Sequence, residues 1–119
     1  MSDYRAPTRE IQFALNELAG ALALSELPAF EEATADLMDA VLAEAGKLAG
    51  EVLAPLNWVG DQQGSKVENG IVSSPEGFKN AYQQFIDNGW LSLAQDPQYG
   101  GQGLPFSWHA AVTEMWNSA

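Results

Sequence analysis

The sequence predicts an all-α fold, a small helical bundle with at most one short β-hairpin. Apolar residues recur at helical spacing in several separate segments, whereas strand-like signals are confined to a few residues around Asn69-Gly70. Glycine and proline interrupt the chain between these segments, as they do between helices. The pattern predicts four main helices, near residues 8–19, 34–56, 75–88 and 105–118.

The first helix can begin at Pro7 or Thr8, and its apolar residues follow a helical period: Ile11, Ala14, Leu15, Leu18 and Leu22. A connector with Pro28 follows, and Thr34 can cap the second and longest helix. The stripe of that helix is Leu37, Met38, Val41, Leu42, Ala45, Leu48, Ala49, Val52, Leu53 and Leu56. Because Pro55 lacks a backbone N–H, we expect a bend or an end near Ala54, with Trp58 filling the space beneath.

Asn69-Gly70 predicts a tight hairpin turn, because both residues tolerate a positive φ. Two strands this short are marginal by themselves, so we expect the hairpin to lie on the helices. Ser74-Pro75 is typical of a helix start and predicts that the third helix begins there. Gly89 can close this helix in the left-handed conformation.

The segment 88–105 has no helical period and is rich in turn residues: Pro97, Gly100, Gly101, Gly103 and Pro105. It predicts a turn that sets the angle between two helices, with Trp90 filling the space beneath it. A phosphate-binding loop is the alternative. Its third glycine and its Gly-Lys-Ser/Thr ending are both missing, and Asp96 adds negative charge, so the structural turn is favoured.

Apolar residues of the last helix surround its axis, which is typical of a helix buried on all sides: Phe106, Trp108, Ala110, Ala111, Val112, Met115 and Trp116. The rest of the chain is too small to cover such a helix. The pattern therefore predicts a fragment of a larger protein, whose last helix docks on another copy or frays. The alternative is a complete acidic helical module that binds a protein partner through its last helix.

Composition narrows the function. The 119 residues include 16 acidic and 5 basic ones, for a formal net charge of −11. Such a charge disfavours binding to nucleic acid and to anionic membranes. Cysteine is absent, which excludes disulfides and thiolate catalysis. No apolar run approaches the length of a membrane span, and a cytoplasmic location is the expectation.

The sequence offers no catalytic motif. His109 is the only histidine, and Glu114, five residues on, would point to a different side of a helix. No serine lies in a G-x-S-x-G elbow. We therefore predict no catalytic residue and no metal site, and the carboxylates are expected on solvated helix faces.

Several motifs in order resemble the N-terminal helical domain of the flavin-dependent acyl-CoA dehydrogenases. They are Gly89-Trp90-Leu91, the turn from Tyr99 to Pro105, and Glu114-Met115-Trp116 in the helix that follows. The opening segment, Tyr4 to Glu10, resembles the extra N-terminal segment of one branch, that of the 3-methylmercaptopropionyl-CoA dehydrogenases. The resemblance covers nearly the whole chain.

The resemblance implies an N-terminal extension over 1–33 and a helical domain over 34–119 that ends before a middle β-domain. The parent would oxidise an acyl-CoA to the 2-enoyl-CoA with FAD in fatty acid metabolism, pass electrons to an acceptor flavoprotein and form a homo-oligomer. Flavin contacts and the proton-abstracting glutamate would lie outside this chain, which would be inactive and hold no FAD. Its last helix would contribute one wall of the acyl pocket, through Ala110, Thr113, Glu114 and Asn117.

Overall fold

The computed structural model describes residues 4–119 and confirms the predicted fold class, a mostly helical domain with one two-stranded hairpin. Five α-helices are α1 (Thr8–Phe13), α2 (Ala35–Lys47), α3 (Ala54–Gln63), α4 (Phe78–Asp87) and α5 (Phe106–Ser118). The hairpin pairs β1 (Lys66–Glu68) with β2 (Ile71–Ser73). π-Helical segments extend α1 and α2 (Ala14–Leu18 and Leu48–Leu53), and short 3-10 turns make several of the connections (Ala21–Glu26, Pro28–Phe30, Trp90–Ser92, Pro97–Tyr99).

The longest helical stretch is capped as predicted but ends later. The Leu37 amide donates to Thr34 Oγ1 at 3.3 Å. Helical backbone then runs through α2, the π-helical segment and α3 to Gln63, so the expected end near residue 56 is wrong. Pro55 lies in the first turn of α3, directly after the π-helical segment. The π-helical segment before it shifts the backbone hydrogen bonds, with the Ala54 amide donating to the Ala49 carbonyl, so the helical backbone continues past a proline at this position.

The core forms where α2 and its π-helical extension meet α5 and the first helix. Its fully buried side chains include Met38 and Leu42 of α2 and Trp108, Val112 and Met115 of α5. Ile11 and Leu15, from the N-terminal helical segment, belong to the same apolar cluster. The N-terminal third of the chain is therefore packed on the same core as the rest.

This core corrects the expectation that α5 needs covering from outside. Trp108, Ala111, Val112 and Met115 are buried within the chain itself, with Trp108 only 1% exposed. Only Phe106 stands out as a large apolar side chain in water, at 73% exposure. The helical pattern fails here because α2 and its π-helical extension pack against α5 within the same chain. Trp108→Ser would therefore lower the free energy of unfolding by about 3–5 kcal/mol, because it empties part of the core. The variant would not measure association between copies of the chain.

The third predicted helix corresponds to α4. It begins later than predicted, at Phe78 instead of near residue 75. Gly77 has a φ of +84° and lies directly against Leu56, whose Cδ2 would be 2.7 Å from an added Cβ. This left-handed residue stops the helical backbone from extending towards Pro75. Gly89, with a φ of +73°, closes the same helix as predicted.

The hairpin turn is confirmed but its placement is not. Asn69 and Gly70 both have positive φ, at +51° and +76°, and Val67 faces Val72 across the two strands. All residues of both strands are exposed, so the expectation that the hairpin lies on the helices is wrong. Trp58 is also 58% exposed instead of filling the space under the helix end. Because α3 continues past Pro55, it carries Trp58 and the hairpin beyond the core.

The loop between α4 and α5 is a hydrogen-bonded turn, with Trp90 buried beneath it as predicted. Amides of Gln102, Gly103 and Leu104 donate to the carbonyls of Ser92, Gln95 and Leu93, at 2.9, 3.0 and 3.0 Å. The Gly101 amide donates to the Asp96 carbonyl. These donors are used inside the loop, which leaves no set of amides pointing at an anion and supports the structural-turn interpretation.

Replacing Gly101 with alanine should strongly destabilise the fold. Its added Cβ would overlap the Gln95 carbonyl oxygen, which is backbone and cannot move aside. We expect a loss of about 1–3 kcal/mol, measured by urea unfolding followed by tryptophan fluorescence. Gly100→Asn is the matched control: its neighbourhood is open and asparagine tolerates positive φ, so its cost should stay below about 1 kcal/mol. Equal losses in the two variants would contradict the packing argument.

Candidate functional site

The four residues predicted to line an acyl pocket lie together on the solvent-facing side of α5. Ala110, Glu114 and Asn117 are exposed, and Thr113 is half-buried. At 100° per residue they span one face of the helix, opposite the buried Trp108, Val112 and Met115. Phe106 continues this face towards the start of α5. We call these four residues, together with Phe106, the α5 outer face.

Hydrogen bonding within the α5 outer face is incomplete. Asn117 Nδ2 donates to the Thr113 carbonyl at 2.8 Å, which holds the amide along the helix. Among the described residues, the Oγ atoms of Thr113 and of Ser107, earlier on the same helix, are buried without a hydrogen-bond partner. A buried hydroxyl without a partner costs free energy, so an internal water molecule bonded to either oxygen would be stabilising.

Tyr4 is a neighbour of this face that the sequence analysis did not assign to it. The N-terminal segment crosses α2 and its extension at Gly46 and Gly50, where added Cβ atoms would meet Ala6 at 3.2 Å and the Tyr4 carbonyl at 3.3 Å. Burial, and secondarily the negative charge of Glu114, raises the pKa of Tyr4 above its ordinary value of 10.0. The glycine pair, four residues apart on one helix face, is the sequence signal for this close approach.

His109 lies on α5 beside Phe106, with a distance of 5.4 Å between the two ring centroids. Across residues 4–119, no group of three or more His, Asp or Glu side chains is arranged to hold a metal ion. No helix in this part of the chain combines the length and apolarity needed to cross a membrane.

Two grooves lie outside the α5 outer face. The first, between α3 and α4, encloses about 400 Å³ and has no charged side chain in its lining: Leu53, Leu56, Asn57, Phe78, Ala81, Tyr82, Phe85, Trp116 and Ala119. We call it the α3–α4 groove. The second encloses about 480 Å³ between the long helical stretch and the loop after α4, and mixes apolar residues with Glu44, Lys47 and Glu51.

The chemistry available is that of a binding surface. Lys47 and Glu44 form an exposed ion pair at 2.7 Å that lines the second groove, and such a pair adds little stability. The glycine turn does not fit the phosphates of a dinucleotide, because its amides are bonded within the loop and Asp96 accepts from the Gln98 amide there. The described surfaces that could contact an apolar or mixed ligand are therefore the two grooves and the α5 outer face.

No protein-family model matches the chain. It is 45% identical over 116 residues to the 3-methylmercaptopropionyl-CoA dehydrogenase of Ruegeria pomeroyi. The predicted resemblance to acyl-CoA dehydrogenases is confirmed. The match covers 98% of this chain and 20% of the relative, so the chain spans about a fifth of the length of that dehydrogenase.

The raised pKa of Tyr4 leads to a test of its position beside Glu114. Glu114→Gln removes the nearby negative charge, so the Tyr4 pKa should fall towards its ordinary value while burial keeps it raised. Tyrosinate absorbance during an alkaline titration measures this, with Tyr4→Phe identifying the contribution of Tyr4. Glu10→Gln, an exposed carboxylate on α1, is the control and should leave the titration unchanged.

The raised pKa of Tyr4 also determines how its contribution to stability depends on pH. The folded protein holds the Tyr4 proton more tightly than the unfolded chain does. This contribution to stability is therefore complete below pH 10.0, the ordinary value, and is lost as pH rises through the pKa of the folded state. A Tyr4 titration identical in the wild type and Glu114→Gln would place the two side chains apart.

Proposed function

We propose that the chain is part of an FAD-dependent acyl-CoA dehydrogenase that oxidises an acyl-CoA thioester to the 2-enoyl-CoA. The observation that carries this proposal is the 45% identity over 98% of the chain to a 3-methylmercaptopropionyl-CoA dehydrogenase. The fold agrees with it, since the motifs that suggested the family form a closed turn leading into a well-anchored helix. The relative is named for 3-methylmercaptopropionyl-CoA. For this chain we propose an acyl-CoA substrate without specifying the acyl group.

Within this proposal, residues 1–33 are the N-terminal extension and 34–119 the N-terminal helical domain, followed in the parent by a middle β-domain. Residues 1–3 of the extension lie outside the described part. Ile11 and Leu15 of the extension share the core of the helical domain. The extension therefore has a physical role in this proposal: it completes the core on one side of α2.

The α5 outer face is the proposed contribution of this chain to the acyl pocket. Trp108, Val112 and Met115 anchor the opposite side of α5 in the core, so the face is held rigidly. Ala110 is small and exposed, which leaves room for an acyl chain, and Phe106 adds an apolar surface beside it. Glu114 and Asn117 supply the exposed polar groups of this wall, and Thr113 contributes its half-buried side chain between them.

Flavin binding and proton abstraction are assigned to the part of the parent outside this chain. FAD would accept the two electrons released when the Cα–Cβ bond becomes a double bond, and an electron-acceptor flavoprotein would receive them next. We further propose a cytoplasmic enzyme of fatty acid metabolism that works as a homo-oligomer. The chain alone is proposed to be inactive.

The gene sequence provides the most direct test of the fragment hypothesis. A coding region that continues past Ala119 into a β-rich segment followed by further helices would support it. A stop codon directly after Ala119 would contradict it and would favour the alternative, an acidic module that binds partners through its last helix. That alternative has lost its main argument, because most apolar side chains of α5 are buried within the chain.

The isolated chain should neither retain flavin nor oxidise acyl-CoA. The purified 119-residue protein, incubated with excess FAD and passed through gel filtration, is expected to lack flavin absorbance. It should also fail to reduce an artificial electron acceptor in the presence of short- or long-chain acyl-CoA. Bound flavin or turnover would show that the residues needed for either function lie within this chain.

The wall assignment is tested in the full-length parent by Ala110→Leu. The larger side chain should narrow the pocket and lower kcat/KM for the longest accepted acyl-CoA by at least about tenfold relative to a short one, the usual scale for one or two methylenes in an apolar pocket. Ala35→Leu, an exposed alanine in the first turn of α2 and outside the grooves described above, is the control and should leave the ratio unchanged.

The two parts of the proposal fail separately in this assay. A parent without any acyl-CoA dehydrogenase activity would contradict the enzyme assignment. An active parent whose chain-length preference is the same in the wild type and in Ala110→Leu would contradict only the placement of the α5 outer face in the acyl pocket.

A further inference from the structure

The α3–α4 groove is an open apolar surface beside the C-terminal end of α5. Most of its lining residues lie on α3 and α4, and Trp116 and Ala119 lie at the end of α5. Trp116 makes edge-on contacts with Phe85 of α4, at a centroid distance of 4.6 Å. Phe78 and Tyr82, which also line the groove, are 37% and 60% exposed. Aromatic surface of this groove is therefore in contact with water.

The last residue of the described backbone lies at the groove. Asn57 Nδ2, on α3, donates to the Ala119 carbonyl at 3.2 Å. The Ala119 amide donates to the Met115 carbonyl, so helical hydrogen bonding reaches this residue. The two bonds hold Ala119 beside the groove. A residue joined to the Ala119 carbonyl carbon would therefore begin at the groove.

Trp116 carries a polar group that has no partner within residues 4–119. Its indole N–H is buried and makes no hydrogen bond in this part of the chain. Buried donors are nearly always paired in folded proteins, because an unpaired donor loses its bonds to water without replacement. A backbone carbonyl from additional polypeptide packed around Trp116 would satisfy this donor.

Charge and connectivity favour an occupant that is attached to the chain over a free one. The lining has no charged side chain and so suits apolar groups, whereas the net charge of −11 repels other acidic chains. A segment attached at Ala119 starts beside the groove, so its docking requires only the closure of a short loop. Because an extended residue spans about 3.5 Å, about five residues reach roughly 17 Å and can cross the groove.

We propose that, in the full-length parent, the residues directly after Ala119 turn over the end of α5 and place at least one large apolar side chain in the α3–α4 groove. This inference rests on the proposed function, in which the chain is an N-terminal domain followed by further polypeptide. The relative agrees with that premise, since the matched region is 20% of its length. Docking would cover Phe78 and Tyr82 and connect the end of α5 to α3 and α4.

The coding sequence after Ala119 provides the first test. The roughly ten residues within reach of the groove should include at least one Leu, Ile, Val, Met or Phe. An uninterrupted polar or acidic run would overturn the inference, because such a segment has no apolar side chain to bury and the groove has no charged side chain to pair with it.

Nitration by tetranitromethane, resolved by peptide mass spectrometry, tests whether the segment covers Tyr82. In the full-length parent Tyr82 should react at least about tenfold more slowly than in the 119-residue chain, because reaction then requires local opening. Replacing the large apolar residues of the segment with serine should restore the faster rate. Tyr99, 83% exposed and outside the groove, is the matched control and should react equally in the parent and its serine variant.

Disulfide trapping in the parent tests the same contact without emptying the groove. Tyr82→Cys is combined in turn with a cysteine at each of about ten positions after Ala119, and a disulfide forms only where the two Cα atoms come within about 7 Å. At least one pair should form a disulfide that mass spectrometry identifies. Tyr99→Cys, combined with the same positions, should form none.

The inference and the proposed function fail in different ways. A stop codon directly after Ala119 would contradict both. An active dehydrogenase in which Tyr82 is nitrated as fast as in the 119-residue chain would contradict only the inference. A protected Tyr82 that neither responds to the serine variant nor forms a disulfide would also overturn it, since another part of the parent would then cover the groove. A Tyr82 protected by the segment in a parent without dehydrogenase activity would contradict only the enzyme assignment.

Discussion

The packing of α5 against α2 and its π-helical extension is the contact on which the rest of the structure depends. Met38 and Leu42 from one side and Trp108, Val112 and Met115 from the other are all fully buried in one cluster. Ala45 and Ala49, also buried, are small enough to let the two helices approach closely. Because burial of large apolar side chains is the main favourable term in folding, this contact determines where every other element can lie.

The loop between α4 and α5 fixes the position of the candidate site relative to that core. Gln102 connects its two ends: the side-chain amide donates to the Gly89 carbonyl at 2.8 Å, and the backbone amide donates to the Ser92 carbonyl. Trp90 beneath it contacts Trp116 of α5. The direction of α5, and with it the α5 outer face, is therefore set by backbone geometry instead of by side chains on that face.

The arm formed by α3, the hairpin and α4 differs from the core in how much of its apolar surface is exposed. It lies beyond the main core, and its exposed apolar side chains, Trp58, Val67 and Tyr82 among them, are more than half accessible to water. This apolar surface lies among acidic residues, since the arm also carries Asp61, Glu68, Glu76 and Asp87. Its stability and its interactions are thus coupled: whatever covers the arm also stabilises the marginal hairpin.

Local chemistry was predictable from the sequence wherever a residue acts on its own neighbours. Thr34 caps α2, Asn69-Gly70 makes the hairpin turn, and Gly89 closes α4, because each depends on the φ preference or side-chain oxygen of that residue. The motif resemblance and the helical spacing of Ala110 and Glu114 were likewise available from the sequence. Their role in an acyl pocket stays a prediction.

Contacts between distant residues were decided only by the tertiary structure. The apolar pattern of α5 could not show that α2 covers most of it, since periodicity records which residues are apolar and not what lies opposite them. Pro55 was expected to end a helix that continues to Gln63, because the preceding π-helical segment places that proline in a first turn. The same continuation carries the hairpin away from the core. The influence of Glu114 on the pKa of Tyr4 arises only because the N-terminal segment crosses the long helical stretch at Gly46 and Gly50, far away in sequence.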